Sequence, residues 1–261
     1  MNKYAILLIM LTSFNSAYAG RVCEEKRRAA NSVVQALNFA GTVIEKLNKI
    51  DPEGHAVYLL GRIGQDLGAY KQKYSHGGFL YKSGTDWQIV HELNGCGSDG
   101  SAIYSEGIAN FYLDDLFKYE SKLIAFNYSV SASLLELLKT APSKMHGPKY
   151  NMLAYPFSTE YQNSNGYLIE TIAVADAKSK NILLDNREAA QGYLKSLGFV
   201  PAVVEVGTFS RLGARMTRVN IAFDDQIFGQ RMAGNIQTVT FDGIVEFLKK
   251  NNISDWSIDL Q

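Results

Sequence analysis

Apolar residues recur at three- and four-residue steps in residues 23–50. Val33, Val34, Leu37, Ala40, Ile44 and Leu47 share one side of a helix. Asp51-Pro52-Glu53-Gly54 ends it. Its polar side mixes both signs of charge, so the spacing predicts a packing helix rather than a membrane-surface one. The period then changes. HAVYLLGRIGQDL, from His55, reads as a strand followed by a turn at Gly61 to Gly64. Residues 74–96, YSHGGFLYKSGTDWQIVHELNGC, read as a β-hairpin: GGFLYK is aromatic and apolar, SGTD supplies turn residues, and WQIVHEL is rich in strand formers.

GSDGS after Cys96 is a loop. Residues 103–116 are acidic and aromatic, with a short helix. SKLIAFNY is a strand, and SLLELLK is a helix with Ser133 as its N-cap. The stretch after Thr140, with Pro142, Pro148 and Pro156, is a long connection. From Asn163 onward Leu168, Ile172, Ala173 and Ala175 return to helical spacing. Asn163, Ser164 and Asn165 all suit a helix start, which sets Ser164 at or just before the N-terminus of a buried helix. A second helix spans 186–197 and stops at Gly198 and Pro201. PAVVEVGTF, TRVNIAF and NIQTVTF are strand-like, and FDGIVEFLKKN closes as a helix with Asp242 as its N-cap. Arg211, Arg215, Asp224, Asp225 and Arg231 fall in loops and strand edges and read as a salt-bridged surface in preference to an anion site.

Residues 1–19 alter this picture. Lys3, the apolar AILLIML and Ala17-Tyr18-Ala19 have the form of a cleaved secretory signal. The apolar run is too short to span a bilayer, and no later stretch is long enough. The mature chain is therefore expected to be soluble and exported, to the periplasm of a bacterium with an outer membrane. No cysteine stands at the cleavage site to carry a lipid. The expected division is signal peptide 1–19, N-terminal helix 20–50, core 51–200, and a C-terminal extension of the same domain over 201–261. With 26 basic and 26 acidic residues, there is no electrostatic case for nucleic acid. The two cysteines, Cys23 and Cys96, read as one disulfide in an oxidising compartment, worth on the order of 4 kcal/mol. The alternative is that Cys96, near His91, is a free nucleophile.

Two of the four histidines lie in the hairpin, His76 entering the first strand and His91 ending the second. Antiparallel pairing sets the start of one strand beside the end of the next, so the two rings come within reach on one sheet edge. The plain alternative is a pair of ordinary polar strand ends. Ser164 adds a hydroxyl at a helix N-terminus, where unpaired N–H groups can serve as an oxyanion hole. Nucleophile, base and orienting group are the parts of nucleophilic catalysis, although an N-cap role accounts fully for one serine. A metal alternative combines His76 and His91 with Asp86 or Glu92, but H-E-x-x-H spacing is absent. GRIGQDLG lacks the Lys-Ser/Thr of a phosphate loop, and no cofactor is expected.

YSHGGFLYKSGTDWQIVHEL resembles the histidine-bearing hairpin of circularly permuted NlpC-type papain-like proteins, including the lecithin–retinol acyltransferase relatives and the YiiX-like bacterial proteins. Asn163-Ser164-Asn165-Gly166 resembles the helix opening that carries their nucleophile, with serine in place of cysteine. That resemblance spans residues 55–175. Over nearly its whole mature length the chain also resembles the bacterial family DUF 2145, through GRIGQDL, YSHGGF, VHELNGC, YNMLAYPFSTEYQNSN, RLGAR, NIAFDD and TVTFDG. The papain-like resemblance implies an α+β fold, an antiparallel sheet with packed helices. It implies His76 as base, His91 as orienting residue, Ser164 as nucleophile, and Asn163 and Asn165 as supporting residues. The expected function is a hydrolase or acyl transferase acting on amide or ester bonds, with a cell-wall peptide or lipid acyl group as substrate partner. The alternative is a non-catalytic envelope protein that binds a peptide, glycan or lipid in the same cleft. Serine is the departure: it stays protonated until attack, whereas the family thiol ionises beforehand.

Overall fold

Every residue of β1 (Tyr58–Ile63) is buried, which requires both faces of its sheet to be covered. The computed structural model, which describes residues 28–114, 116–207 and 219–261, has that arrangement. The signal segment, Cys23, Arg211 and Arg215 lie outside the described residues.

β1 sits inside a six-stranded antiparallel sheet with β2 (His76–Ser83), β3 (Asp86–Asn94), β4 (Ser101–Gly107), β5 (Lys118–Phe126) and β8 (Ser254–Leu260). The order is β4-β3-β2-β1-β5-β8. Successive side chains alternate between faces. Leu59, Phe79, Val90 and Ile124 face α3 (Tyr128–Thr140), α4 (Ser164–Ser179), α5 (Arg187–Ser196) and α7 (Phe241–Lys250). Tyr58, Leu60, Leu80, Ile89 and Leu123 face α1 (Ala30–Ile50) and α2 (Ile108–Tyr112). The fold is α+β, a sheet between two helical layers. A separate two-stranded ribbon pairs β6 (Ala202–Glu205) with β7 (Asn235–Thr238), next to the short α6 (Phe228–Ala233). Among the described residues no helix is long and apolar enough to cross a membrane.

Several expectations shift. The buried stripe of α1 is Ala36, Phe39, Ala40, Val43 and Leu47, while Val34 and Leu37 are exposed, because small Ala36 and Ala40 allow close approach to the sheet. α3 begins five residues before Ser133. Its cap is Asn127, whose side chain accepts from the Val130 N–H at 3.0 Å, and the Ser133 hydroxyl bonds back to the Ser129 carbonyl. The cap of α7 is Thr240, not Asp242. The described part of TRVNIAF is not a strand: the Asn151 side chain holds both backbone groups of Ala222, and the Asn220 carbonyl accepts from Met152. Asp224 and Asp225 accept from the Tyr161 hydroxyl and the Tyr155 N–H, and Arg231 donates to the Phe223 carbonyl, so these charges bolt loops together. β4, α6 and β8 lie outside the elements that the pattern predicts. Through β8 the C-terminal stretch becomes part of the main sheet.

α4 is buried from Ser164 to Ala177, all the way round, as a helix at the centre of a core must be. Its first turn meets the sheet where β2 begins.

Candidate active site

The β2–β3 turn, Gly84 and Thr85, fixes the hairpin register: Phe79 lies opposite Val90 and Ser83 opposite Asp86. Carried toward the open end, this register sets Gly78 opposite His91. His76, two residues further out, projects from the same face. A Cβ on Gly78 would come within 2.5 Å of Ile89 and 3.1 Å of the His91 Cβ. Glycine there leaves room for the two imidazoles to meet: His76 Nε2 lies 2.8 Å from His91 Nδ1.

α4 supplies the third group. Asn163 caps it, accepting from the Gly166 N–H at 2.7 Å, and its amide donates to Met152 O, Thr238 Oγ1 and Val239 O. Thus fastened, the helix presents Ser164 Oγ 3.1 Å from His76 Nδ1. A fourth group completes the line. Glu106, on β4 two pairs along from the His91–Tyr104 pair and so on the same face, brings Oε1 2.9 Å from His91 Nε2.

Proton positions follow from the acceptor-only carboxylate. Glu106 accepts from His91 Nε2–H, so His91 Nδ1 accepts from His76 Nε2–H. His76 Nδ1 is then left to accept from the Ser164 hydroxyl. Every link points away from the serine. Burial, with the Arg62 guanidinium and His91 adding to it, holds His76 well below the usual histidine range. Burial lowers His91 too, and the Glu106 carboxylate partly offsets this. His76 is thus a neutral imidazole with a free lone pair aimed at a hydroxyl. Ser164 is 5 % exposed and His91 1 %, whereas His76 is half-buried.

Around this line, Phe111 of α2 packs its ring 5.8 Å from His76 and 5.4 Å from His91. Tyr150 brings its phenol against the N–H and hydroxyl of Ser164, and burial pushes that phenol up. Asn165 is buried, and its Oδ1 has no hydrogen-bond partner. Glu92 is fully buried on the opposite sheet face from His91. Burial pushes it up to about 8, so it is a neutral acid at neutral pH.

The structure brings His76, His91 and Ser164 together and sets Asn163 and Asn165 around the serine. It does not assemble the metal alternative: Asp86 is at the far end of β3 and Glu92 points to the other face. No group of three His, Cys, Asp or Glu that could hold a metal occurs among the described residues. No free cysteine occurs among them either. Glu106, Tyr150 and Phe111 are site residues beyond those that the sequence pattern points to. A signal for Glu106 existed: the short GSDGS loop can return a third antiparallel strand, and SAIYSEG read as that strand carries Glu106 to the His91 side.

A family model described as an uncharacterized protein conserved in bacteria (DUF2145) matches residues 49–248. No curated protein and no solved structure matches the chain.

Proposed function

The chain belongs to the DUF2145 family, and we propose that it is an exported acyl-transfer enzyme, a hydrolase or acyl transferase, with Ser164 as nucleophile and His76 as general base. The observation that carries this reading is the directed line Ser164–His76–His91–Glu106. Attack by Ser164 Oγ on an amide or ester carbonyl passes its proton to His76 Nδ1. The imidazolium so formed is hydrogen-bonded to His91, which is in turn held by the Glu106 carboxylate. That proton then goes to the leaving amine or alcohol as the tetrahedral intermediate collapses. Water or an acceptor alcohol or amine takes the acyl group from Ser164, its proton drawn off by the same nitrogen. The positive end of the α4 dipole, at the helix start that carries Ser164, stabilises the oxyanion. A papain-like, permuted architecture agrees with this order of parts, a histidine strand preceding the nucleophile helix. Cell-wall peptide links and lipid acyl esters are the substrate classes it favours. Export through residues 1–19 and a Cys23–Cys96 disulfide belong to the same reading.

The near-complete burial of Ser164 favours a second reading, a non-catalytic relative that binds a peptide, glycan or lipid beside His76. A fluorophosphonate probe separates the two. Labelling of the mature protein, lost in Ser164→Ala and accompanied by turnover of peptidoglycan fragments or lipid esters, is the expected result. Labelling that survives Ser164→Ala would exclude this serine as nucleophile.

A further inference from the structure

A cation is built into the wall of the histidine line. Arg62 lies on β1 directly opposite His76 and is 6 % exposed. Its guanidinium sits 4.5 Å over the Phe111 ring, the same ring that packs against both imidazoles. One arm donates to the Phe111 carbonyl at the end of α2, and the other pairs with Asp114. Its Nε is buried without a partner.

We infer that Arg62 is a positioning residue of the site: it clamps Phe111 against the two imidazoles and sets a fixed positive charge beside them. For stability alone, a buried ion pair can be replaced by apolar side chains of similar volume. Such side chains supply no positive potential at the rings. The charged groups facing the rings are few: Arg62 from β1, Glu106 from β4 and Asp114 beyond α2, with Arg28 3.9 Å from Asp114. Arg62 and Glu106 act in opposite senses. The carboxylate fixes the direction of the hydrogen bonds, and the guanidinium adds to burial in opposing the pull of that carboxylate on a ring proton. The Coulombic influence of Arg62 on both histidines agrees with this.

The rate aspect of this inference rests on the acyl-transfer reading; the charge aspect does not, and the experiment separates them. Ring protonation of His76 and His91 is followed by NMR of the histidine-labelled mature protein, in wild type, Arg62→Gln, Arg62→Lys and Asp114→Asn. Arg62→Gln is expected to raise the pH at which the rings take up a proton by about one unit. Arg62→Lys keeps the charge and titrates near wild type, but loses the guanidinium fork and labels more slowly with the serine probe. Asp114→Asn, at a side chain 27 % exposed and so tolerant of change, shifts the titration the opposite way from Arg62→Gln. Titrations that stay in place in both Arg62→Gln and Asp114→Asn, or that move in the same direction, would overturn the inference. If Arg62→Gln fails to fold, the sign of the Asp114→Asn shift decides. Titrations that move as expected in a protein that never labels at Ser164 would uphold the role of Arg62 and remove the acyl-transfer reading.

Discussion

At the scale of single residues, the direction of each hydrogen bond matters more than the count. A serine beside one histidine is commonplace. A serine whose proton can move only toward a neutral imidazole, backed by a second imidazole and then a carboxylate, is a base arrangement ready for use. This predicts a pH dependence. His76 must be neutral to accept the Ser164 proton, and its folded-state value lies below the ordinary 6.5. Activity should therefore rise with pH and reach its plateau below pH 6.5, checked by kcat/KM or probe-labelling rate against pH. Glu106→Gln tests the end of the line. The amide oxygen still accepts from His91 Nε2–H, but the negative charge that raises His91 is gone. The acidic limb should move to lower pH and the plateau rate should fall roughly 10-fold, less than the ~10²–10⁴ expected for losing the base in His76→Ala. A limb that moves upward would contradict the assigned proton positions. His76, His91 and Ser164 were legible from residue type and local pattern. Glu106 was not, because one glutamate in an acidic stretch has no signature until its strand is paired.

At the scale of elements, legibility stops at the choice between adjacent caps. Asn163, Ser164 and Asn165 all fit a helix start, and Asn127 competes with Ser133 as Thr240 does with Asp242. Which side chain reaches the free N–H depends on backbone angles that residue type does not encode. For α4 the outcome bears on function. Asn163 as the cap frees Ser164 to face His76. Had Ser164 been the cap, its oxygen would have been occupied by the helix's own amide. Asn163 is also buried and ties the helix start to Met152, Thr238 and Val239. Asn163→Ala should cost more than the ~1 kcal/mol of an exposed cap, about 2–3 kcal/mol in denaturant unfolding, because buried acceptors lose their donor. Probe labelling under folding conditions should fall as well, since the Ser164 Oγ to His76 distance rests on that cap. A loss of stability of only a few tenths would show that the other amide bonds contribute little.

At the scale of the whole molecule, the last quarter of the chain holds up His76. The Phe241 ring, at the start of α7, lies over Gly61 of β1 and Gly77 of β2. A Cβ on either glycine would come within 2.4 or 2.5 Å of that ring. Phe241 also packs against Tyr74 at 5.5 Å, and Asp242 accepts from the Lys73 and Tyr74 N–H groups just before His76. The pattern of residues 201–261 predicts strands and a helix but no purpose. A strand that completes a sheet from far along the chain, and a ring that needs two distant glycines, are products of topology rather than of local periodicity. Phe241→Ala opens a hole over the two glycines in a fully buried place, a loss of about 3–5 kcal/mol. The hole lies against Gly77, the residue after His76, so reactivity at Ser164 should drop further than in a core truncation of similar cost on the other sheet face, such as Leu47→Ala on α1. Comparing the two variants at equal folded fraction, by unfolding and by probe-labelling rate, isolates the positional effect. Equal labelling rates would mean that α7 steadies the fold without steadying His76.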